Sequence, residues 1–201
     1  MKHLSILLGF FALVSLLPAA PCCAVPATPG ADETGVTLSP ESLYQLDARF
    51  VTDSGQPFAL ADLRGRPVVI TMFFASCTYA CPMLISDMTR VRDALPADIR
   101  EEAVLVLVSF DVERDTPEAL KQFRTERLLN DSWLLLSTDE AGVRELAALL
   151  GIKFKREASG QYAHSNILTV LNREGERVHQ RNGLTGGLAE TAAAVVAAAA
   201  R

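Results

Sequence analysis

Two cysteines stand four positions apart in the run FFASCTYACPMLI, residues 73 to 85, at the end of an apolar stretch and the start of a helical pattern. A thiol pair so spaced can close on itself, exchange electrons with another disulfide, or hold a soft metal ion. The surroundings narrow the choice. The apolar stretch ending near Ala75 feeds a loop carrying Cys77, and Cys81 directly precedes Pro82, a residue favoured at the first position of a helix. Unpaired N–H groups and the positive end of the helix dipole collect there, so both sulfurs are expected to be stabilised as thiolates. A purely structural disulfide is the weakest use, because so short a loop restricts the unfolded chain little.

The chain has 201 residues, four of them cysteine, and the other two, Cys22 and Cys23, fall near the N-terminus. That end has Lys2, an apolar stretch from Leu4 to Leu17, then Pro18 and small residues. This is the layout of a secretory signal peptide, expected over 1–24, and the stretch is short for a membrane span of about 20 residues. An uncleaved leader would instead anchor the chain to a membrane. Cleavage after Ala24 or Ala27 would remove Cys22 and Cys23, and Pro21 before Cys22 speaks against a lipoprotein. The exported chain would then keep Cys77 and Cys81 alone, in a compartment where two thiols close on each other unless something holds them reduced.

One domain fits the length. Hydrophobic residues make up 49% and charged residues 21%, with a net charge of -5, so nothing suggests a nucleic-acid partner. Residues 25–42, rich in Pro, Gly and Thr, read as a flexible spacer before a domain over 43–201. From Tyr44 onward, YQLDARFVT alternates like a strand, and VVITMFFA and AVLVLVSF read as strands covered on both faces. PMLISDMTRVRDAL, TPEALKQFRTERLL and DEAGVRELAALLG have helical spacing, with SWLLLS as a strand before the last of them. HSNILTVLNREGERVHQ reads as a hairpin turning at NREGE, and an Ala-rich helix closes the chain. Strands alternating with helices and ending in a hairpin define an α/β fold, a central mixed sheet flanked by helices.

Three stretches in this order, FFASCTYACPM, then VSFDVERDTPEAL, then YAHSNILTVLNREGE, resemble the Sco/SenC family over about residues 43 to 200. Members share a C-x-x-x-C-P motif at a helix start, a D-x-x-R-D-T-P-E-like turn, and a distant histidine before a later strand. The resemblance implies a thioredoxin-like fold and a copper ion held by Cys77, Cys81 and His164. It also implies a role in delivering copper to, or preparing the cysteines of, a respiratory oxidase copper site, with the oxidase subunit or another copper chaperone as partner. Such a protein works in the periplasm or a similar exported compartment and is a carrier, not a turnover enzyme in the usual sense.

The donor types agree with the implied metal. Thiolates suit Cu(I) and imidazole suits Cu(I) and Cu(II), whereas structural zinc wants four protein ligands, which leaves zinc only with solvent completing its shell. Of the other histidines, His3 lies in the leader and His179 at the polar end of the hairpin, where it is expected to be solvated. Met83 and Met88 fit an inward helix face, and capping accounts for Asp115 or Thr116 in RDTPEAL. Asp111, ending an apolar strand, is a candidate for contact with the metal ligands or a client. FKREASGQYAH is expected as an exposed, mobile hairpin carrying His164. Many family members have an acidic residue just before the histidine where this chain has Ala163; a carboxylate there would orient the ring, so its loss bears on copper affinity.

Two other functions fit the same residues. One is a thiol-disulfide oxidoreductase or redox sensor in which Cys77 and Cys81 cycle between dithiol and disulfide. Against it, the chain has no proline after Pro117, so the cis-proline that thioredoxin-like oxidoreductases set opposite their cysteines is missing. The other is an interaction domain that keeps the fold without the metal.

Overall fold

Three apolar runs of the sequence become neighbouring parallel strands at the centre of a seven-stranded sheet. The computed structural model describes residues 38–200, so the expected leader and most of the expected spacer lie outside the described residues. In chain order the elements are β1 (Phe50–Thr52), β2 (Pro57–Phe58), β3 (Val68–Phe73), α1 (Ala80–Asp93), α2 (Ala97–Glu102), β4 (Val104–Ser109), α3 (Pro117–Glu126), β5 (Trp133–Ser137), α4 (Glu140–Leu150), β6 (Phe154–Arg156), β7 (Tyr162–His164), β8 (Ile167–Leu171), β9 (Arg177–Asn182) and α5 (Leu188–Ala199). Every residue of β3 and β4 is buried, as continuous apolar runs demand when both faces of a sheet are covered.

The sheet order is β2-β1-β5-β4-β3-β8-β9. β3, β4 and β5 are parallel, while β1 joins β5, and β8 joins β3 and β9, in antiparallel pairs. Parallel neighbours need crossovers, and α1 and α3 supply them. Because β3 and β4 point the same way, the loops after them, carrying Cys77 and Asp111 to Asp115, emerge at one end of the sheet. Among the described residues, β6 and β7 pair only with each other, as a separate two-stranded sheet.

The helices follow the apolar spacing that predicted them. Thr116 caps α3 by accepting from the Ala119 N–H, Pro117 opens it, and Gly151 ends α4 in the left-handed region at φ 68°. Met88 lies in the core, Met83 is half-buried, and Trp133 is a core residue. No helix among the described residues is long and apolar enough to cross a membrane.

Several local features of the structure differ from what the sequence led us to expect. The expected strand at YQLDARFVT begins only at Phe50; Leu43–Gln45 is a 3-10 turn capped by Ser42. The turn is imposed from outside, because Tyr44 stacks over Gly175, where a Cβ would stand 2.6 Å from the ring, and Gly175 has φ +81°. Ser42, at the end of the expected spacer, is buried and bridged to Glu176. The short α2 has no buried residue, so no apolar periodicity marks it. His179, expected to be solvated, is half-buried and bonds the Thr191 hydroxyl at 3.1 Å, because β9 lies against α5.

Candidate metal centre

Cys77 and Cys81 sit at the tip of α1, but their setting differs from the sequence expectation. The helix begins at Ala80, so Cys81 is its second residue and Pro82 its third; Tyr79, 73% exposed, occupies the cap position without a side-chain hydrogen bond. The missing cap bond is supplied by sulfur: the Cys81 N–H donates to Cys77 Sγ at 3.3 Å. Both cysteines are free and buried, Cys81 to 1% exposure. Burial pushes the Cys81 thiol far above its ordinary value, outweighing a hydrogen bond from the Phe74 backbone, and the neighbouring Cys77 raises it further. The expected thiolate preference therefore fails for Cys81, because desolvation exceeds the pull of the helix end.

β7 carries the third predicted residue to the same place. His164 Nε2 lies 4.0 Å from Cys81 Sγ, and one ligand atom each from Cys77, Cys81 and His164 lie within 4.8 Å of one another. The other ring nitrogen, Nδ1, stands 3.1 Å from the Ser165 carbonyl oxygen. Burial holds the ring's pKa below its ordinary value, with the Ser165 carbonyl opposing it.

An aromatic wall holds the imidazole. Phe110 lies 5.2 Å from the His164 ring centroid and Phe74 meets it edge-on at 5.9 Å. Phe110 also stacks on Phe154 at 5.4 Å and meets Tyr162 at 5.0 Å. The cross-strand pairs Phe154 with His164 and Arg156 with Tyr162 share the inward face of the hairpin, so Lys155 and Ala163, also paired, face outward and are exposed. The hairpin is half-buried at Phe154, Tyr162 and His164, while Lys155 to Ser159, Gln161 and Ala163 are exposed, as expected of this segment.

Residue 163 consequently points away from the ring. The ring's orienting partner is the backbone of Ser165, which any residue type supplies.

Sequence reasoning missed the residues that tie the site together. Asp115, 3% exposed, does not cap α3; its Oδ2 accepts from the Ala75 N–H at 2.9 Å and from the Ser109 hydroxyl at 2.5 Å, so it fixes the start of the cysteine loop. Its pKa is raised by burial, with those two hydrogen bonds opposing. Asp111 is fully buried and pairs with Arg114, which excludes it from touching a client. The one available signal was RDTPE, where two candidate cap residues in succession leave one free for other work.

Two soft sulfur donors and one imidazole, set beside the rings of Phe74 and Phe110, are a group that could hold a soft ion. The strand order, the cysteine-bearing helix start and the antiparallel hairpin define the class as thioredoxin-like. The model of the SCO1/SenC family matches residues 38–200. A Stutzerimonas stutzeri protein, named as a candidate copper-binding protein, is 30% identical over 148 residues, 72% of each chain. Among solved structures, copper-bound ScoI of Bradyrhizobium japonicum aligns with a TM-score of 0.60 at 20% identity, covering 75% of this chain and 96% of that one. BsSco, described as a Sco-family cytochrome c oxidase assembly protein with a disulfide switch, aligns with a TM-score of 0.66 at 22% identity, covering 76% and 91%. This chain belongs to the SCO1/SenC family.

Proposed function

We propose that this protein is an exported copper carrier that binds one copper ion through Cys77, Cys81 and His164 and delivers it to, or prepares, a respiratory oxidase copper site. The observation carrying this reading is the meeting of two sulfurs and one imidazole within 4.8 Å from segments far apart in sequence. The family and the copper-bound relatives support the metal. The donors fit it: thiolate suits Cu(I), imidazole accepts both oxidation states, and three ligands leave the shell open. When bound, copper is the cargo. Cys77 and Cys81 anchor it as sulfur donors, the half-buried hairpin brings the imidazole, and an open shell lets client thiolates displace these ligands one at a time. The apolar leader supports export to the periplasm or an equivalent compartment.

The test is copper binding by reduced protein under anaerobic conditions, with zinc present as competitor. The expected result is about one Cu(I) per chain, with His164→Ala weakening the affinity at least about tenfold while thiol titration stays unchanged. Equal affinity in the variant would remove His164 from the site. Preference for zinc would remove copper.

The adjacency of the two sulfurs favours a second reading, thiol-disulfide exchange. The pair would give two electrons and two protons to a client disulfide and close on itself. Rapid reduction of a model disulfide, unaffected by His164→Ala, would establish it.

A further inference from the structure

Among the described residues, the strand that carries His164 pairs with no strand of the central sheet. β6 and β7 form ladder pairs only with each other, and a lone two-stranded hairpin is at best marginally stable in water. The imidazole's distance from the cysteines is therefore set by the two-residue link from His164 to β8 together with whatever ties the rest of the hairpin down. One segment, Phe110 to Asp115, does so at both ends of the site. Asp115 holds the Ala75 N–H of the cysteine loop, and Phe110 supports the base of the hairpin through Phe154, Tyr162 and His164. Between them, Arg114 reaches the far end. Its Nε donates to Asp111 Oδ2, and its Nη2 donates to the Gly160 carbonyl at 2.6 Å, in the turn joining β6 to β7.

This tie differs from the other ionic one, between Glu113 and Arg156 at 2.8 Å, in what stands behind it. Glu113 and Arg156 are 60% and 46% exposed, so solvent screens them. Asp111 is 0% exposed and its Oδ1 has no hydrogen-bond partner, so Arg114 is held in place by a carboxylate that cannot go unpaired. Arg114, 37% exposed, thus spans from a buried carboxylate to a main-chain carbonyl at the solvent edge and straps the two segments together. Lysine could satisfy Asp111, but with one nitrogen it could not span both partners.

We infer that Arg114 is a positioning residue for the imidazole, strapping the β6–β7 hairpin to the rim of the sheet so that His164 stays within reach of Cys77 and Cys81. The inference rests on the ligand set proposed above.

The experiment is a double-mutant cycle on Cu(I) affinity in the reduced full chain, using Arg114→Lys and His164→Ala singly and together. Arg114→Lys keeps a cation beside Asp111. It is expected to lower affinity about tenfold in the parent and to change nothing once His164 is gone, while amide hydrogen exchange of residues 154–164 speeds up in the copper-free protein. An equal loss in both backgrounds marks a merely structural role and overturns the inference. So does an unchanged affinity in Arg114→Lys beside a weakened His164→Ala, which leaves the ligand set standing. If His164→Ala binds like the parent, the ligand set and the strap fall together. Should Arg114→Lys fold poorly, Asp111→Asn with Arg114→Gln removes both charges at once and is read in the same cycle.

Discussion

His164 turns its Nε2 toward Cys81 Sγ, 4.0 Å away and 83 positions earlier in the chain, while its Nδ1 faces the Ser165 carbonyl at 3.1 Å. A carbonyl oxygen only accepts, so Nδ1 carries the ring proton and the Nε2 lone pair faces the sulfurs. Burial keeps the ring neutral near pH 7 by lowering its pKa. The imidazole is thus held in the tautomer and charge state that a metal ligand needs.

Copper affinity should rise with pH through neutrality. Burial raises the Cys81 pKa, so its thiol is still protonated at pH 7 and must lose that proton to bind metal. Cys81 alone is expected to contribute a slope of about one in log affinity against pH from 7 to 8. His164, with its pKa lowered, adds to the slope only below about pH 6.5. Competition titrations against a chromophoric Cu(I) chelator at several pH values measure both; a flat profile from 7 to 8 would contradict a protonated Cys81.

Restoring the acid that many relatives have before the histidine should do little. Ala163 is exposed on the hairpin's outward face, opposite Lys155, and the ring is already oriented by Ser165. Ala163→Asp is expected to change copper affinity less than about threefold and to add at most an exposed ion pair worth about 0–1 kcal/mol. A tenfold gain in the same titration would show that a carboxylate at this position reaches the metal ligands.

Asp115 should matter for its acceptor oxygen more than for its charge. Asp115→Ala leaves the Ala75 N–H and the Ser109 hydroxyl without their partner, at a cost of about 2–4 kcal/mol, whereas Asp115→Asn keeps an oxygen for both and should cost far less. The sign with pH follows from burial. The folded carboxyl has a raised pKa and binds more protons than the unfolded one, so its contribution to stability is full below about pH 3.9 and is lost as pH rises through the folded pKa. Asp115→Asn should remove that acid-range dependence. Urea unfolding of the three proteins at pH 4 and pH 7 measures it.

The elements that sequence reasoning found are those whose signal is local. β3 and β4 are apolar on both faces, α3 and α4 have caps and a regular stripe, and Gly151 marks a helix end by its backbone freedom. It missed α2, which has no fully buried residue, and it extended a strand through Leu43–Gln45, where Tyr44 is turned inward by a glycine far along the chain.

The sequence by itself determined the two cysteines at a helix start, the α/β order, and, through resemblance, which histidine to pair with them. A helix tip and a run of apolar residues are written in consecutive side chains, so they are readable without the fold. Only the tertiary structure decided that Cys81 is desolvated, that residue 163 faces away from the ring, and that Asp111, Arg114 and Asp115 bind the cysteine loop and the histidine hairpin together. Those properties depend on what surrounds a side chain in space, and burial and hydrogen bonding between segments 40 or more residues apart leave no periodic trace in the chain.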